Sequence, residues 1–199
     1  MKPLLLTFDI FGTVVDWRAA LGDRDFDRIV DVQGDLEQQR FRPYTEIVAE
    51  SLVRVRRLDP VTAAGIAANV GKWQLFPDSR DALRRLRRVA PCAATTNSDR
   101  AHGEQVQEQL GFALDGWICA EEVRAYKPDR RIWEAASRKM GQPFDRAWWH
   151  VSAYADYDLR TARDLGLTSV FVQRPHSRAG LADVTVSDLT ALAELVEAG

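Results

Sequence analysis

Apolar residues along the chain follow two alternating periods. Leu4–Phe8, Val89–Thr95, Trp117–Ala120, Trp148–Ser152 and Ser169–Gln173 are short runs rich in apolar, β-branched or aromatic side chains. Each is bounded by polar or turn residues, which predicts strands. Between them, Ser79–Arg88, Ala101–Leu110, Arg130–Met140 and Asp158–Leu165 space their apolar residues as helices do, and Ser187–Glu197 predicts a closing helix. Gly166 supplies a C-cap for the fourth of these. The alternation predicts an α/β fold, a Rossmann-like parallel sheet with crossover helices.

One stretch departs from this rhythm. From Asp16 to Leu75 the pattern is helical only: Tyr44, Ile47, Val48, Ser51, Leu52 and Val55 share one helix face, and Pro60 to Val70 predicts another helix. An all-helical insertion directly after the first strand predicts a cap over the sheet's carboxyl edge. The expected division is a core of residues 1–15 and 77–199 and a cap of residues 16–76. Composition changes this picture little. The chain has 199 residues, 46% hydrophobic and 28% charged, enough to bury a core without disulfides or metal. A net charge of −2 argues against a dedicated nucleic-acid binder. The Arg84, Arg85, Arg87 and Arg88 cluster has the spacing of a solvated helix face. Cys92 and Cys119 stand far apart among apolar residues, with no Cys-x-x-Cys, so buried reduced thiols and a cytoplasmic location are expected. The apolar run Leu4–Leu6 is too short for a membrane span.

Candidate chemistry gathers at the predicted strand ends. The first strand runs into Phe8-Asp9-Ile10-Phe11-Gly12-Thr13-Val14-Val15-Asp16, the second into Thr95-Thr96-Asn97-Ser98. Tyr126-Lys127-Pro128-Asp129 precedes the helix after the third strand, and Ser152-Ala153-Tyr154-Ala155-Asp156-Tyr157-Asp158 follows the fourth. In an open parallel sheet these ends share one edge, where ligands bind. A carboxylate there can attack an electrophilic carbon or phosphorus and split one hard step into two.

The order and spacing of these segments resemble the haloacid dehalogenase superfamily over nearly the whole chain, and the opening resembles its 2-haloacid dehalogenase branch. The resemblance implies a hydrolase working through a covalent ester, with Asp9 as nucleophile, Thr13 and Lys127 in the catalytic set and Asp158, with Asp156 as rival, as the base that activates water. It also implies that Lys127 lowers the pKa of Asp9. Thr96, with Ser98 as its rival, Asn97, Ser152 and Tyr154 match positions around the substrate. Phosphatases of this superfamily carry an acid at the position of Phe11 and usually another at that of Ala153. Their replacement implies dehalogenation of a small 2-haloacid without metal or other cofactor. The family's final loop has an asparagine where Tyr154 or Ala155 stands here. Its cap has a halide-binding arginine, for which Arg18, Arg24, Arg28, Arg40 and Arg42 are the candidates and Arg40 is taken. A magnesium-dependent phosphatase using Asp9 and Asp158, or a non-catalytic anion-binding or partner-binding member, stands as the alternative. The expected partner is a small carboxylate, with no nucleic acid or membrane, and a homodimer is left open. His150, in an apolar strand, reads as a core histidine; Trp17 and Trp133 read as candidate pocket walls or core.

Overall fold

The structure, a computed structural model, describes residues 2–199. Its centre is β1 (Leu5–Phe8), buried along its whole length. With β2 (Cys92–Thr96), β3 (Gly116–Cys119), β4 (Trp148–Ser152), β5 (Thr168–Val172) and β6 (Val184–Val186) it forms one six-stranded sheet in the order β3-β2-β1-β4-β5-β6. Every neighbouring pair is parallel. The near-continuous burial of β1, β2 and β5 explains their unbroken apolar sequences, since helices cover both faces of such a sheet. The order reverses between β1 and β4, and the crevice at that switch point is where open α/β sheets bind ligands.

Ten α-helices accompany the sheet among the described residues. Four of them, α1 (Trp17–Leu21), α2 (Phe26–Glu37), α3 (Tyr44–Arg56) and α4 (Pro60–Ala67), lie between β1 and β2. On α3 the buried face is Tyr44, Ile47, Val48, Ser51 and Leu52, the predicted stripe apart from the half-buried Val55. The covering helices are α5 (Ser79–Leu86), α6 (Arg100–Leu110), α7 (Ala120–Val123), α8 (Arg131–Met140), α9 (Arg160–Asp164) and α10 (Leu189–Ala198). Arg85 pairs with Glu197 and Arg87 with Asp115, so these arginines dress a solvated face.

Two predicted elements change shape and one strand is additional. β2 begins at Cys92 because Val89 and Ala90 still donate backward to the Leu86 carbonyl and close α5. Residues Ala155–Leu159 form a wide π turn, and only then does α9 begin, where an unbroken helix was predicted. The short β6 carries too few residues for a periodic signal, yet it pairs with β5 from Val170↔Val184 to Val172↔Val186.

The inserted helices leave and rejoin the sheet side by side. Asp16 N–H donates to the Gln74 carbonyl at 2.8 Å and Phe76 N–H to the Val14 carbonyl at 3.0 Å. Their apolar faces join the same hydrophobic cluster as the sheet, in which Ile29, Leu36, Ile47 and Leu52 meet Phe8, Ile10 and Val14. A polar tether crosses the join: Asp99, from the loop after β2, accepts the N–H groups of Tyr44 and Thr45, each at 2.8 Å. Those are orphan donors of α3, whose own N-cap residue Pro43 offers no side-chain acceptor. Asp99→Ala is therefore expected to cost about 1–2 kcal/mol. Thermal unfolding followed by circular dichroism should show the melting temperature falling by roughly 3–8 °C. An unchanged Tm would mean that the tether contributes nothing to stability.

Candidate active site

The loop after β1 turns tightly and returns to the sheet. Val14 and Val15 N–H groups donate to the Ile10 carbonyl at 2.8 and 2.9 Å, and Gly12 N–H to the Val15 carbonyl at 2.9 Å. Gly12 has φ +96°, and a Cβ there would lie 2.5 Å from the Tyr154 hydroxyl, so only glycine fits both the turn and the neighbour. From above, Arg174 grips this loop: Nε and Nη2 donate to the Thr13 carbonyl at 3.1 and 2.9 Å. The result holds Asp9, buried but facing a cavity of about 920 Å³ between the sheet edge and the inserted helices.

Both Asp9 oxygens have donors. Thr13 Oγ1 donates to Oδ2 at 2.8 Å, and Lys127 Nζ to Oδ1 at 2.9 Å. The Lys127 ammonium also donates to Asp158 Oδ2 at 2.7 Å, and thus bridges two carboxylates. Asp158 Oδ1 accepts from His150 Nε2 at 3.0 Å. Behind it, Trp148 Nε1 donates to Thr7 Oγ1 at 2.8 Å, which lies 2.9 Å from His150 Nδ1. With the Thr7 hydroxyl donating to Nδ1, the ring's own proton sits on Nε2 and points at Asp158. His150 thus belongs to this network as well as to the core. Its strand position hides that role, because the contact depends on Thr7 and His150 standing in register on β1 and β4.

Charge in this triad differs from the expectation. Burial raises the pKa of Asp9, with repulsion from Asp158 adding to it, and this outweighs Lys127 and the Thr13 hydrogen bond. Burial opposes ionisation of Asp158 too, but Lys127 and His150 together hold its carboxyl well below the usual carboxylate range. The Lys127 pKa is raised: burial disfavours its charge, and the two carboxylates overcome that penalty. So Lys127 favours the ionised form of Asp9 but does not bring its pKa below the ordinary value, because burial, with Asp158 adding to it, outweighs the ammonium.

Phe11, Thr96, Asn97, Tyr154 and Trp17 line the cavity with Asp9 and Lys127. Trp17 Nε1 donates to the Tyr154 hydroxyl at 3.0 Å and fixes that wall. Asn97 Oδ1 accepts the Lys127 N–H at 2.7 Å, while its Nδ2 donates to Glu37 Oε2 at 3.0 Å. Other predicted residues stand elsewhere. Ser152 is buried off the cavity, its Oγ accepting the Tyr154 N–H at 3.1 Å and shaping the turn. Asp158 is fully buried, with its oxygens engaged by Lys127 and His150, and Asp156 lines the cavity. Trp133 packs in the core with its ring 5.8 Å from His150. Arg40 is exposed just past α2 and does not line the cavity, although Gln39 and Phe41 on either side of it do. Arg18 and Arg42 are tied to Asp23 and Glu50. The arginines at the cavity are Arg124, Arg131, Arg160 and Arg178, all from the sheet side. No sequence motif marks them; only the fold brings them to one rim.

Comparison with known proteins fits this geometry. A family model described as haloacid dehalogenase-like hydrolase matches residues 4–149. The chain belongs to the haloacid dehalogenase-like hydrolase family. Among curated members, it is 36% identical over 101 residues to (S)-2-haloacid dehalogenase H-109 of Pseudomonas putida, a stretch covering 49% of this chain and 44% of that protein. It is 31% identical over 102 residues to the (S)-2-haloacid dehalogenase of Pseudomonas fluorescens, covering 50% and 44%. The matched stretch thus spans less than half the length of these relatives. Similarity of fold extends further. The crystal structure of the L-2-haloacid dehalogenase PA0810 superposes with a TM-score of 0.84 at 25% identity, covering 98% of this chain and 99% of that one. The L-2-haloacid dehalogenase of Xanthobacter autotrophicus gives 0.82 at 16% identity, covering 98% of both, and shows a shared fold.

Within the family framework, the residue most exposed to test is Lys127. Removing one partner of a buried ion pair typically costs about 3–5 kcal/mol, because it strands the other charge. Here Lys127→Ala strands two carboxylates. Urea denaturation at neutral pH should show a loss of that size, and a loss below about 1 kcal/mol would mean the triad is not needed for folding.

Proposed function

We propose that this chain is a 2-haloacid dehalogenase that forms an ester between Asp9 and its substrate. The observation that carries this reading is the cavity floor. Asp9 faces the cavity beside Phe11, an aromatic group that cannot protonate a leaving group, and the Lys127 ammonium fills the space between Asp9 and Asp158. A divalent cation shared by those carboxylates needs that space and more oxygen ligands than Ala153 offers. The chemistry left to Asp9 is displacement at carbon by a carboxylate.

In this reading the inserted helices act as the cap. Thr13 and Lys127 orient Asp9, and Asp158 positions Lys127, with His150 holding Asp158 in turn. Thr96 and Asn97 meet the substrate carboxylate, while Phe11 and Tyr154 wall its apolar side. The rim arginines attract the anion, Arg131 tempered by Asp129 and Arg178 by Asp31 and Asp156. A cytoplasmic location goes with two free, buried cysteines. Among the described residues no helix is long and apolar enough to cross a membrane.

Asp9→Asn should reduce halide release from 2-chloropropionate at least about 10⁴-fold with the fold intact. Single turnover in ¹⁸O-water should place the label in Asp9 first. Label appearing directly in the product would mean that water attacks the substrate and no ester forms. Activity should also survive a strong chelator; activity lost to the chelator and restored by magnesium would favour the phosphatase alternative.

The pH profile gives a further check. Because burial raises the pKa of Asp9, the acidic limb of kcat/KM should lie above the ordinary aspartate value of 3.8. Removing the ammonium raises that pKa further, so Lys127→Ala should move the limb to higher pH, and Lys127→Arg should restore it only in part. An unmoved limb would detach Lys127 from Asp9.

A further inference from the structure

Behind the nucleophile, four side chains that stay out of the cavity touch one another in sequence. Trp148 and His150 stand two apart on β4, and Thr7 stands opposite His150 on β1, so all three share one face of the sheet. Thr7, Trp148, His150 and Asp158 are fully buried, and none of them lines the cavity.

Proton positions along this chain are fixed from both ends. An indole nitrogen only donates, so Trp148 Nε1 occupies a lone pair of Thr7 Oγ1 at 2.8 Å and leaves the hydroxyl proton for His150 Nδ1 at 2.9 Å. An ionised carboxylate only accepts. Asp158 Oδ1, 3.0 Å from His150 Nε2, therefore requires the ring proton on that nitrogen. The two demands select the same tautomer, and the ring is gripped at both nitrogens. Beyond it, Asp158 Oδ2 accepts from Lys127 Nζ at 2.7 Å, and the same ammonium donates to Asp9 Oδ1 at 2.9 Å.

We propose that Thr7, oriented by Trp148, is a positioning residue for the nucleophile: its grip on His150 Nδ1 keeps the Nε2 proton on Asp158 and so leaves the Lys127 ammonium shared with Asp9. This rests on reading Asp9 as the nucleophile, and extends the supporting set to side chains that no substrate touches. A ring held only at Nε2 can turn about its Cβ–Cγ bond. Each excursion takes a donor from Asp158, which then draws the ammonium toward itself. Asp9 loses part of its counter-charge, its ionised form is disfavoured and its carboxylate is no longer held in line. Substrate binding is little affected, because the linked residues lie behind the cavity wall.

The test compares Thr7→Val, which keeps the shape and removes the hydroxyl, with Thr7→Ser, which restores the hydroxyl. Carboxyl ¹³C NMR titrates Asp9, its resonance identified with Asp9→Asn, and halide release from 2-chloropropionate is followed in parallel. The titratable groups around Asp9 are Lys127, Asp158, Glu37 of α2, Tyr44 of α3, and Tyr154 and Tyr157 from the loop after β4; Thr7→Val replaces none of them. In Thr7→Val the Asp9 midpoint should rise by at least about 0.5 pH unit, and in Thr7→Ser most of that rise should disappear. Partners that orient a site histidine typically contribute about 10–100-fold, so kcat should fall about tenfold in Thr7→Val, with KM changed less than about twofold, and recover in Thr7→Ser.

A lower melting temperature with an unmoved Asp9 midpoint and unchanged kcat would make Thr7 a packing residue only and overturn the proposal. An equal shift in Thr7→Ser would overturn it too, since the hydroxyl would then be irrelevant. Where Thr7→Val does not fold, Trp148→Phe, which frees the Thr7 hydroxyl to turn, carries the same test: a rise in the Asp9 midpoint supports the proposal and an unmoved midpoint overturns it. The titration needs no turnover. A wild-type chain that releases no halide would sink the dehalogenase reading, while the Asp9 titration still decides whether Thr7 positions that carboxylate.

Discussion

A single ammonium group, Lys127 Nζ, stands between two buried carboxylates, and most of the site's geometry follows from that. Taking three charges out of water is costly unless each is met by an opposite charge and by hydrogen bonds. The chain meets the demand by converging three strand ends. β1 delivers Asp9, β4 and its π turn deliver Asp158, and the segment between α7 and α8 delivers Lys127. The supporting contacts come from Thr13 on one side and His150, Thr7 and Trp148 on the other. One ammonium cannot fully offset two anions, so the charge divides unequally: Asp158, with His150 as a second donor, stays firmly ionised, and Asp9 carries the strain.

That asymmetry suits a nucleophile. A carboxylate that is too well satisfied attacks poorly, whereas one that shares its only cation and faces a cavity keeps reactive lone pairs. The same division of charge extends outward. Arginines ring the cavity from the sheet side, and acids descend from α2. For the carboxylate substrate proposed above, this field favours an orientation with the carboxylate toward the sheet and the other end toward the helices.

Much of this could be read from the chain because strand ends in a parallel sheet share one edge, so Asp9, Thr13, Asn97 and Lys127 could be gathered from the order of the strand-end segments together with the family resemblance. The rest depends on tertiary facts that no pattern encodes. Arg40 is exposed and off the cavity while its neighbours Gln39 and Phe41 line it, a difference of side-chain direction that composition does not encode. Asp158 lies within a π turn where a regular helix is predicted, and its carboxyl is buried against Lys127 and His150. His150 has an apolar neighbourhood in sequence, yet its ring nitrogens find Thr7 and Asp158 through strand register.

The attachment of the inserted helices bears on how a substrate arrives. A flap hinged along one side can swing, but a slab pinned at separated points can only flex between them. The helices are joined to the sheet domain at Val14–Asp16 and Gln74–Phe76, at the start of α3 through Asp99, at the end of α2 through Asn97, and near residues 68–73 through Gln105 and Gln109. Tyr126 adds another pin by donating to the Arg42 carbonyl at 2.7 Å. Wholesale opening would break all of these together. Access to the cavity is therefore confined to the arginine-rimmed mouth, and the width of that mouth, more than any hinge, sets the largest molecule that can enter.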